Sequence, residues 1–319
     1  MSALVSRRFL LRAGVSSVLA GAWIRGSGTC PAEPKAPYRS HGPWEFFKEN
    51  SRKWIAEHAM TPPKGRRIND EIDCSSALEN VFYLDLGKHA VVIDSGYDHQ
   101  IEHHLRNFRA LGRDLDKVVG VLATHSHVDH TGGLKQAKET LGVPVVAHRE
   151  ARTPIESGDL LRTAAVIPEV DGWEFDFPAC TIDHPVDDGD TIEVGTEQIR
   201  VIHLPGHTPD CVGYLWRSHF FTGDAVFAAG LVGWAHERWL SNYSDHAESM
   251  QRLIDQPVEA DKFYCAHGPD FPYDRQAIPS AVLKTLGTLT PIGADPCNHT
   301  PRTKRRPPGE PTHVITLPS

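Results

Sequence analysis

Short apolar runs alternate with amphipathic stretches through the first half of the chain. Residues 81–86 and 90–94 are rich in aliphatic and aromatic side chains, and the Gly87-Lys88 step between them predicts a β-hairpin. Residues 98–111 have apolar positions at helical spacing and precede Gly112, which predicts a helix that ends there. Residues 118–123 are again apolar and β-prone, so the pattern returns to a buried strand.

The same alternation continues toward the C-terminus. Helices are predicted at 134–141, 159–166, 248–254 and 275–289, and strands at 143–147, 193–203, 211–221 and 263–266. This periodicity by itself indicates an α/β or an α+β fold and does not choose between them.

A polar run rich in histidine follows the predicted strand at 118–123. Residues 124–130 read Thr-His-Ser-His-Val-Asp-His and are bounded by Gly132-Gly133. In an extended segment His125 and His127 share one face, so both side chains can bind the same ion. Asp129 and His130 come after the chain has turned and can face a second ion. Imidazole nitrogens and carboxylate oxygens are common ligands of zinc and similar divalent ions, so this spacing predicts a metal site.

The run resembles the metal-binding signature of the metallo-β-lactamase superfamily. Four further stretches resemble the family's other motifs and occur in the same order: 90–96 with Asp94, 201–208 with His207, 220–224 with Asp224 and 264–268 with His267. The resemblance spans 73–270. It implies the family's αββα sandwich, an α+β fold in which two mixed β-sheets pack face to face with helices on the outer faces.

By the same resemblance, seven side chains hold two metal ions. One ion is expected at His125, His127 and His207, and the other at Asp129, His130 and His267, with Asp224 between them. The implied cofactor is a pair of Zn²⁺ ions, with Fe or Mn as alternatives. A hydroxide that bridges the two ions would be the nucleophile, and Asp129 would orient it or carry a proton. Asp94 would support the ligands from behind.

The resemblance implies a small-molecule hydrolase acting on an ester, a lactone or a thioester. Asp224 in the Thr-Gly-Asp motif is similar to the glyoxalase II and lactonase branch. About fifty residues follow His267, so a helical glutathione-binding domain is expected to be absent or reduced. Three alternatives stay open: a mononuclear iron persulfide dioxygenase using His125, His207 and Asp224, a β-lactamase, and a non-catalytic binding protein. Loss of one or more ligands would favour the last, and all seven are present.

The two ends of the chain differ from its middle. Residues 1–32 include Ser-Arg-Arg-Phe-Leu-Leu-Arg and resemble a twin-arginine export signal, which predicts an exported, periplasmic protein. Residues 33–71 are interpreted as an N-terminal arm and 72–289 as the metallo-β-lactamase-like domain. Residues 290–319 are rich in proline and include a basic run, so a disordered tail is expected there.

The composition of the chain excludes some classes of binding partner but does not identify a substrate. The chain of 319 residues has 33 Lys and Arg against 41 Asp and Glu, which disfavours a general nucleic-acid binder. No apolar run has the length that stable membrane insertion of the mature chain requires. The six cysteines lack a CxxC spacing; Cys211 and Cys265 are predicted to be buried, inert thiols, and disulfide pairing stays open. Aromatic residues in 225–243 are candidates for the substrate side. The oligomeric state stays open.

Overall fold

Two seven-stranded sheets form the frame of the described part of the chain. The computed structural model describes residues 50–53, 55–168, 170–227, 237–268, 270–272, 277–289 and 312–318. The first sheet runs in chain order and contains β1 Lys64–Arg67, β2 Ile72–Ser76, β3 Asn80–Asp85, β4 Ala90–Ile93, β5 Val118–Leu122, β6 Val145–His148 and β7 His184–Val186. Pairing is antiparallel from β1 to β4 and parallel from β4 to β7, so this sheet is mixed.

The second sheet has the order β13-β12-β11-β10-β9-β8-β14. Its strands are β8 Thr191–Val194, β9 Glu197–His203, β10 Val212–Trp216, β11 His219–Gly223, β12 Lys262–Cys265, β13 Phe271–Pro272 and β14 Val314–Thr316. Strands β8 to β11 form an antiparallel meander. Strands β12 and β14 join it in parallel on opposite sides, so this sheet is mixed as well.

Helices cover the outer faces of both sheets. They are α1 Ile101–Ala110, α2 Val128–Thr131, α3 Leu134–Leu141, α4 Arg152–Ser157, α5 Tyr243–Asp255 and α6 Ala277–Leu289. Successive side chains of a strand point to opposite faces. Tyr83 therefore packs with Phe108 of α1, whereas Phe82 meets Phe221 of the other sheet, with ring centroids 5.1 Å apart.

Three apolar clusters follow from this layering. One lies between the two sheets, one lies under α1 and α3, and one lies under α5 and α6. Because β3 and β4 are buried on both faces, their sequences read as continuous apolar runs rather than as an alternation. The αββα sandwich expected from the resemblance is confirmed.

Four predicted elements need correction. Residues 159–166 form successive turns although Asp159 accepts the backbone N–H groups of Leu161 and Arg162 as a helix cap would, because Ala164 adopts a positive φ of 55°. The predicted strand at 193–203 is the end of β8 plus β9, since Gly195 adopts a positive φ of 60° and turns the chain. The predicted strand at 211–221 is likewise two strands, β10 and β11, which pair as a hairpin because Arg217 adopts a positive φ of 51°. Residues 314–316 pair with β8 instead of continuing a disordered tail, and Leu317 beside them is buried between the sheets.

Other sequence predictions fall on residues outside the described ranges. These are the export signal at 1–32, the arm up to residue 49, and the tail at 290–311. Within the described residues, no helix is both long enough and apolar enough to cross a membrane.

Candidate metal centre

The predicted ligands come from the ends of four strands in both sheets. His125, His127, Asp129 and His130 follow β5, and His207 follows β9. Asp224 follows β11, and His267 follows the neighbouring parallel strand β12. Because β10 and β5 are held together by the bond from Val212 N–H to Thr124 O, 2.9 Å, the loops of the two sheets meet at one end of the sandwich.

The first group of ligands is fully buried. The side chains of His125, His127 and His207 offer nitrogen atoms that lie within 4.8 Å of one another. His207 Nε2 lies 2.9 Å from His127 Nδ1 and 3.5 Å from Asp224 Oδ2. Three imidazoles therefore converge with one carboxylate at their edge.

The second group shares the same carboxylate. Asp129, His130 and His267 also offer atoms within 4.8 Å of one another. Asp224 Oδ1 lies 3.6 Å from His130 Nε2 and 3.5 Å from His267 Nε2. Since one oxygen of Asp224 faces this group and the other faces His207, its carboxylate stands between the two groups. All seven predicted residues are thus brought together.

Contacts behind the ligands fix the orientation of the histidine rings. Asp94 adopts a positive φ of 62° and accepts hydrogen bonds from Thr124 N–H at 2.7 Å and Thr124 Oγ at 2.8 Å. It also lies 3.0 Å from His130 Nδ1, which turns His130 Nε2 toward Asp224. His267 Nδ1 donates to Leu78 O at 2.8 Å, a support that the motifs did not predict. Such partners set the tautomer of a metal-binding imidazole.

Burial and charge act oppositely on the two groups of histidines. Burial lowers the pKa of His125 and His127 well below the ordinary value, with a further contribution from neighbouring histidines, so both rings are neutral at neutral pH. Burial would also lower the pKa of His130, but the charges of Asp129 and Asp224 outweigh it and raise that pKa. Despite burial, His267 and His130 lower the pKa of Asp224 to about 2. The carboxylates therefore attract positive charge into this space.

The donor set fits divalent cations. His125 Nε2, His127 Nε2, His130 Nε2 and Asp224 Oδ1 are buried and have no hydrogen-bond partner. Unsatisfied buried polar atoms are costly, and native proteins rarely leave several together. Nitrogen and oxygen donors of this kind are the ones that zinc and related ions bind. A metal centre would explain why several buried donor atoms without hydrogen-bond partners occur among these residues.

The centre opens toward solvent on the side of Asp129 and His267. The Asp129 and His267 side chains are 17% and 12% exposed, whereas His130 is fully buried. Aromatic residues of the predicted substrate segment flank both groups. Trp239 packs edge-on against His127, with ring centroids 4.7 Å apart, and Phe227 stacks on His267 at 5.9 Å. Residues 228–236 lie outside the described ranges.

A further cluster of His148, Asp187 and His203 lies at the ends of β6, β7 and β9. His148 Nδ1 accepts the Glu150 N–H at 3.3 Å, so its proton is on Nε2 and faces Asp187 at 3.4 Å. Arg149 pairs with the other Asp187 oxygen at 2.7 Å. Burial would raise the pKa of Asp187, but His148, the Asp188 N–H and Arg149 outweigh it and lower the pKa. Asp187 is therefore paired with Arg149 and hydrogen-bonded by His148, and the Nδ1 lone pair of His148 is already taken by the Glu150 N–H, so these contacts account for His148 and Asp187 without a metal.

The cysteines of the described residues are buried thiols, as predicted for Cys211 and Cys265. Cys74, Cys180, Cys211 and Cys265 are free and buried, and burial raises the pKa of Cys74 to about 12 and that of Cys180 to about 11. Thiols with such pKa values carry almost no thiolate at neutral pH. Cys30 and Cys297 lie outside the described residues.

Residues 78–267 match the model of the metallo-beta-lactamase superfamily. The chain is 31% identical over 187 residues to a hydroxyacylglutathione hydrolase of Halorhodospira halophila, covering 58% of this chain and 55% of that protein. It is 30% identical over 146 residues to acyl-coenzyme A thioesterase MBLAC2 of Gallus gallus, covering 42% and 50%. The matched region thus spans about half the length of these curated relatives.

A solved structure has the same fold. A B3 metallo-beta-lactamase with an active-site glutamic acid superposes with a TM-score of 0.59 and covers 74% of this chain and 93% of its own. The two sequences are 18% identical, so the similarity concerns the arrangement of sheets and helices.

Proposed function

The chain belongs to the metallo-beta-lactamase superfamily, and from that premise we propose that it is a hydrolase with a binuclear metal centre that cleaves a thioester, an ester or a lactone. One observation supports this proposal most strongly. Buried imidazole nitrogens and carboxylate oxygens from four strand ends converge, and several of these atoms have no hydrogen-bond partner. A structural metal site would enclose its ion completely, whereas here one side is partly exposed at Asp129 and His267.

In this proposal His125, His127 and His207 hold one Zn²⁺ ion, and Asp129, His130 and His267 hold the other, with Asp224 shared between them. Ions held by these residues would supply Lewis-acid chemistry, which lowers the pKa of a bound water molecule and polarises a carbonyl group. His125 and His127 are suited to this role because burial keeps them neutral, with lone pairs available. Iron or manganese at the same ligands is the alternative loading.

Asp129 is the proposed catalytic side chain. Its Oδ2 lies 3.3 Å from His267 Nε2, and the carboxylate is 17% exposed on the open side of the centre. A carboxylate in that position can orient the attacking water and receive its proton. It can then deliver a proton to the leaving thiolate or alkoxide.

Thioesters are the first substrates to test. Both curated relatives have names that describe thioester hydrolysis, a hydroxyacylglutathione hydrolase and an acyl-coenzyme A thioesterase. Phe227 and Trp239 place apolar rings on either side of the ligands, which suits an acyl group beside the scissile bond.

The function is tested by loading the metal-free protein with Zn²⁺ and assaying acyl-coenzyme A, acylglutathione, a lactone, a simple ester and nitrocefin in parallel. We expect thioester, ester or lactone cleavage that disappears with chelation and returns with metal. Full activity in protein without bound metal would overturn the proposal. Turnover of nitrocefin alone would replace it with a β-lactamase, and oxygen consumption with a persulfide would replace it with a dioxygenase.

We also propose that residues 1–32 direct export. Replacing Arg7 and Arg8 together with lysine should then retain the protein in the cytoplasm of an expressing bacterium, as measured by cell fractionation. Equal periplasmic amounts of both forms would contradict this.

A further inference from the structure

The segment from Ser241 into α5 contacts the backbone of the loop that carries His207. Ser249 Oγ donates to Pro205 O at 2.7 Å, Asn242 N–H donates to Gly206 O at 2.8 Å, and Ser241 Oγ donates to His207 O at 2.6 Å. Three consecutive carbonyl groups are therefore held by one segment. None of the motifs that identify the metal ligands includes this segment.

Close approach of α5 requires a glycine in that loop. Gly206 has a φ of 149°, in the range that favours glycine. A Cβ built on Gly206 would lie 2.2 Å from His246 Cβ and 2.4 Å from His246 Cα. The backbone of α5 therefore rests directly on the residue that precedes His207, so a displacement of the helix would displace this ligand.

His246 connects the same helix to a second ligand loop. Its side chain is buried, and its Nε2 donates to Ala225 O at 2.8 Å. Ala225 directly follows Asp224, the carboxylate that stands between the two groups of ligands. His246 thus contacts the loop of His207 through its backbone and Cβ, and the loop of Asp224 through its ring.

We propose that His246 is a positioning residue of the metal centre, which sets the separation between His207 and Asp224 by tying both loops to α5. This inference rests on the proposed function, because it assumes that His207 and Asp224 share an ion. Coordination bonds tolerate small changes in distance, on the order of 0.2 Å. A helix that bonds both loops reduces the motion between two ligands that are 3.5 Å apart in the protein itself.

The test compares His246→Leu with His246→Gln. Leucine fills a similar volume without the donor, whereas the glutamine amide nitrogen can take the place of Nε2 and donate to Ala225 O. The metal-free proteins are titrated with Co²⁺ against a competing chelator, and the visible absorption of the bound Co²⁺ is recorded. We expect His246→Leu to bind about 10- to 100-fold more weakly with a changed spectrum, and His246→Gln to recover most of the affinity and the natural spectrum.

Met250→Ala is the matched control, since Met250 is fully buried in α5 but packs in the apolar cluster under the second sheet. It should lower the melting temperature while leaving the affinity and spectrum unchanged. If the natural chain binds two ions and His246→Leu binds them equally well, the positioning role is wrong and the proposed function stands. Equal losses in His246→Leu, His246→Gln and Met250→Ala would also refute the role. If the natural chain binds no Co²⁺, both proposals fail.

Discussion

Replacement of Asp94 by asparagine should weaken metal binding without changing any proposed ligand. The carboxylate of Asp94 is buried and accepts three hydrogen bonds, two from Thr124 and one from His130 Nδ1. Asparagine tolerates the positive φ of 62° and has nearly the same shape, so the backbone should persist. Asp94→Asn therefore tests the effect of replacing a single carboxylate oxygen by an NH₂ group.

The expected loss of metal affinity follows from the tautomer of His130. Asparagine keeps an oxygen for Thr124 N–H, but its NH₂ group then faces Thr124 Oγ and His130 Nδ1. The threonine hydroxyl can turn and accept, whereas His130 can accept only if its proton moves to Nε2, the proposed ligand atom. Partners of this kind are worth about 10- to 100-fold in metal affinity. That range corresponds to about 1.4–2.8 kcal/mol.

The assay is Zn²⁺ titration of the metal-free protein against a fluorescent chelator, which resolves the two binding constants. We expect the weaker constant to fall by that factor. Asp73→Asn is the control, because Asp73 is equally buried but accepts from Arg113 Nε at 2.7 Å, away from the centre. It should lower stability and leave both constants unchanged. Unaltered binding in Asp94→Asn would refute the orienting role of Asp94.

Three further outcomes are expected. His127→Ala and Asp224→Ala should each abolish hydrolysis with an unchanged far-ultraviolet circular dichroism spectrum, and activity in either would remove that residue from the centre. Leu317→Ala should lower the free energy of unfolding, measured with urea, by about 2–5 kcal/mol. Val314→Ala should lower it only slightly, because Val314 is 60% exposed. Equal effects of the two substitutions would contradict the placement of β14 beside β8. Because the folded-state pKa of Asp187 lies below its unfolded value, Asp187 adds stability above about pH 4 that is lost on acidification. The destabilisation by Asp187→Asn should therefore be larger at about pH 6 than at about pH 3, and a pH-independent difference would contradict this.

The ligands could be predicted because each follows a strand that is easily identified. The apolar run at 118–123 forms β5, and the spacing of His125, His127, Asp129 and His130 after it is local information. Bringing His207 and His267 to the same place required the known order of the family's motifs, since periodicity gives strands but not their arrangement in two sheets. The resemblance therefore supplied the topology that the residue pattern left open.

The supports behind the ligands could not be predicted in the same way. His246 lies just outside the helix predicted at 248–254, and its role depends on a contact with Ala225 O that spans 21 residues of chain. The carbonyl of Leu78 has no sequence signature at all. The sequence does not predict β14, because this three-residue strand follows a stretch rich in proline and pairs with β8, more than 120 residues earlier in the chain.

In the proposed centre, seven side chains from four strand ends hold a pair of divalent cations. Crystals grown with Zn²⁺ and measured on both sides of the zinc absorption edge test this most directly. We expect two anomalous peaks, one among His125, His127 and His207 and one among Asp129, His130 and His267, with Asp224 within bonding distance of both. A single peak, or zinc bound only elsewhere on the protein, would contradict it.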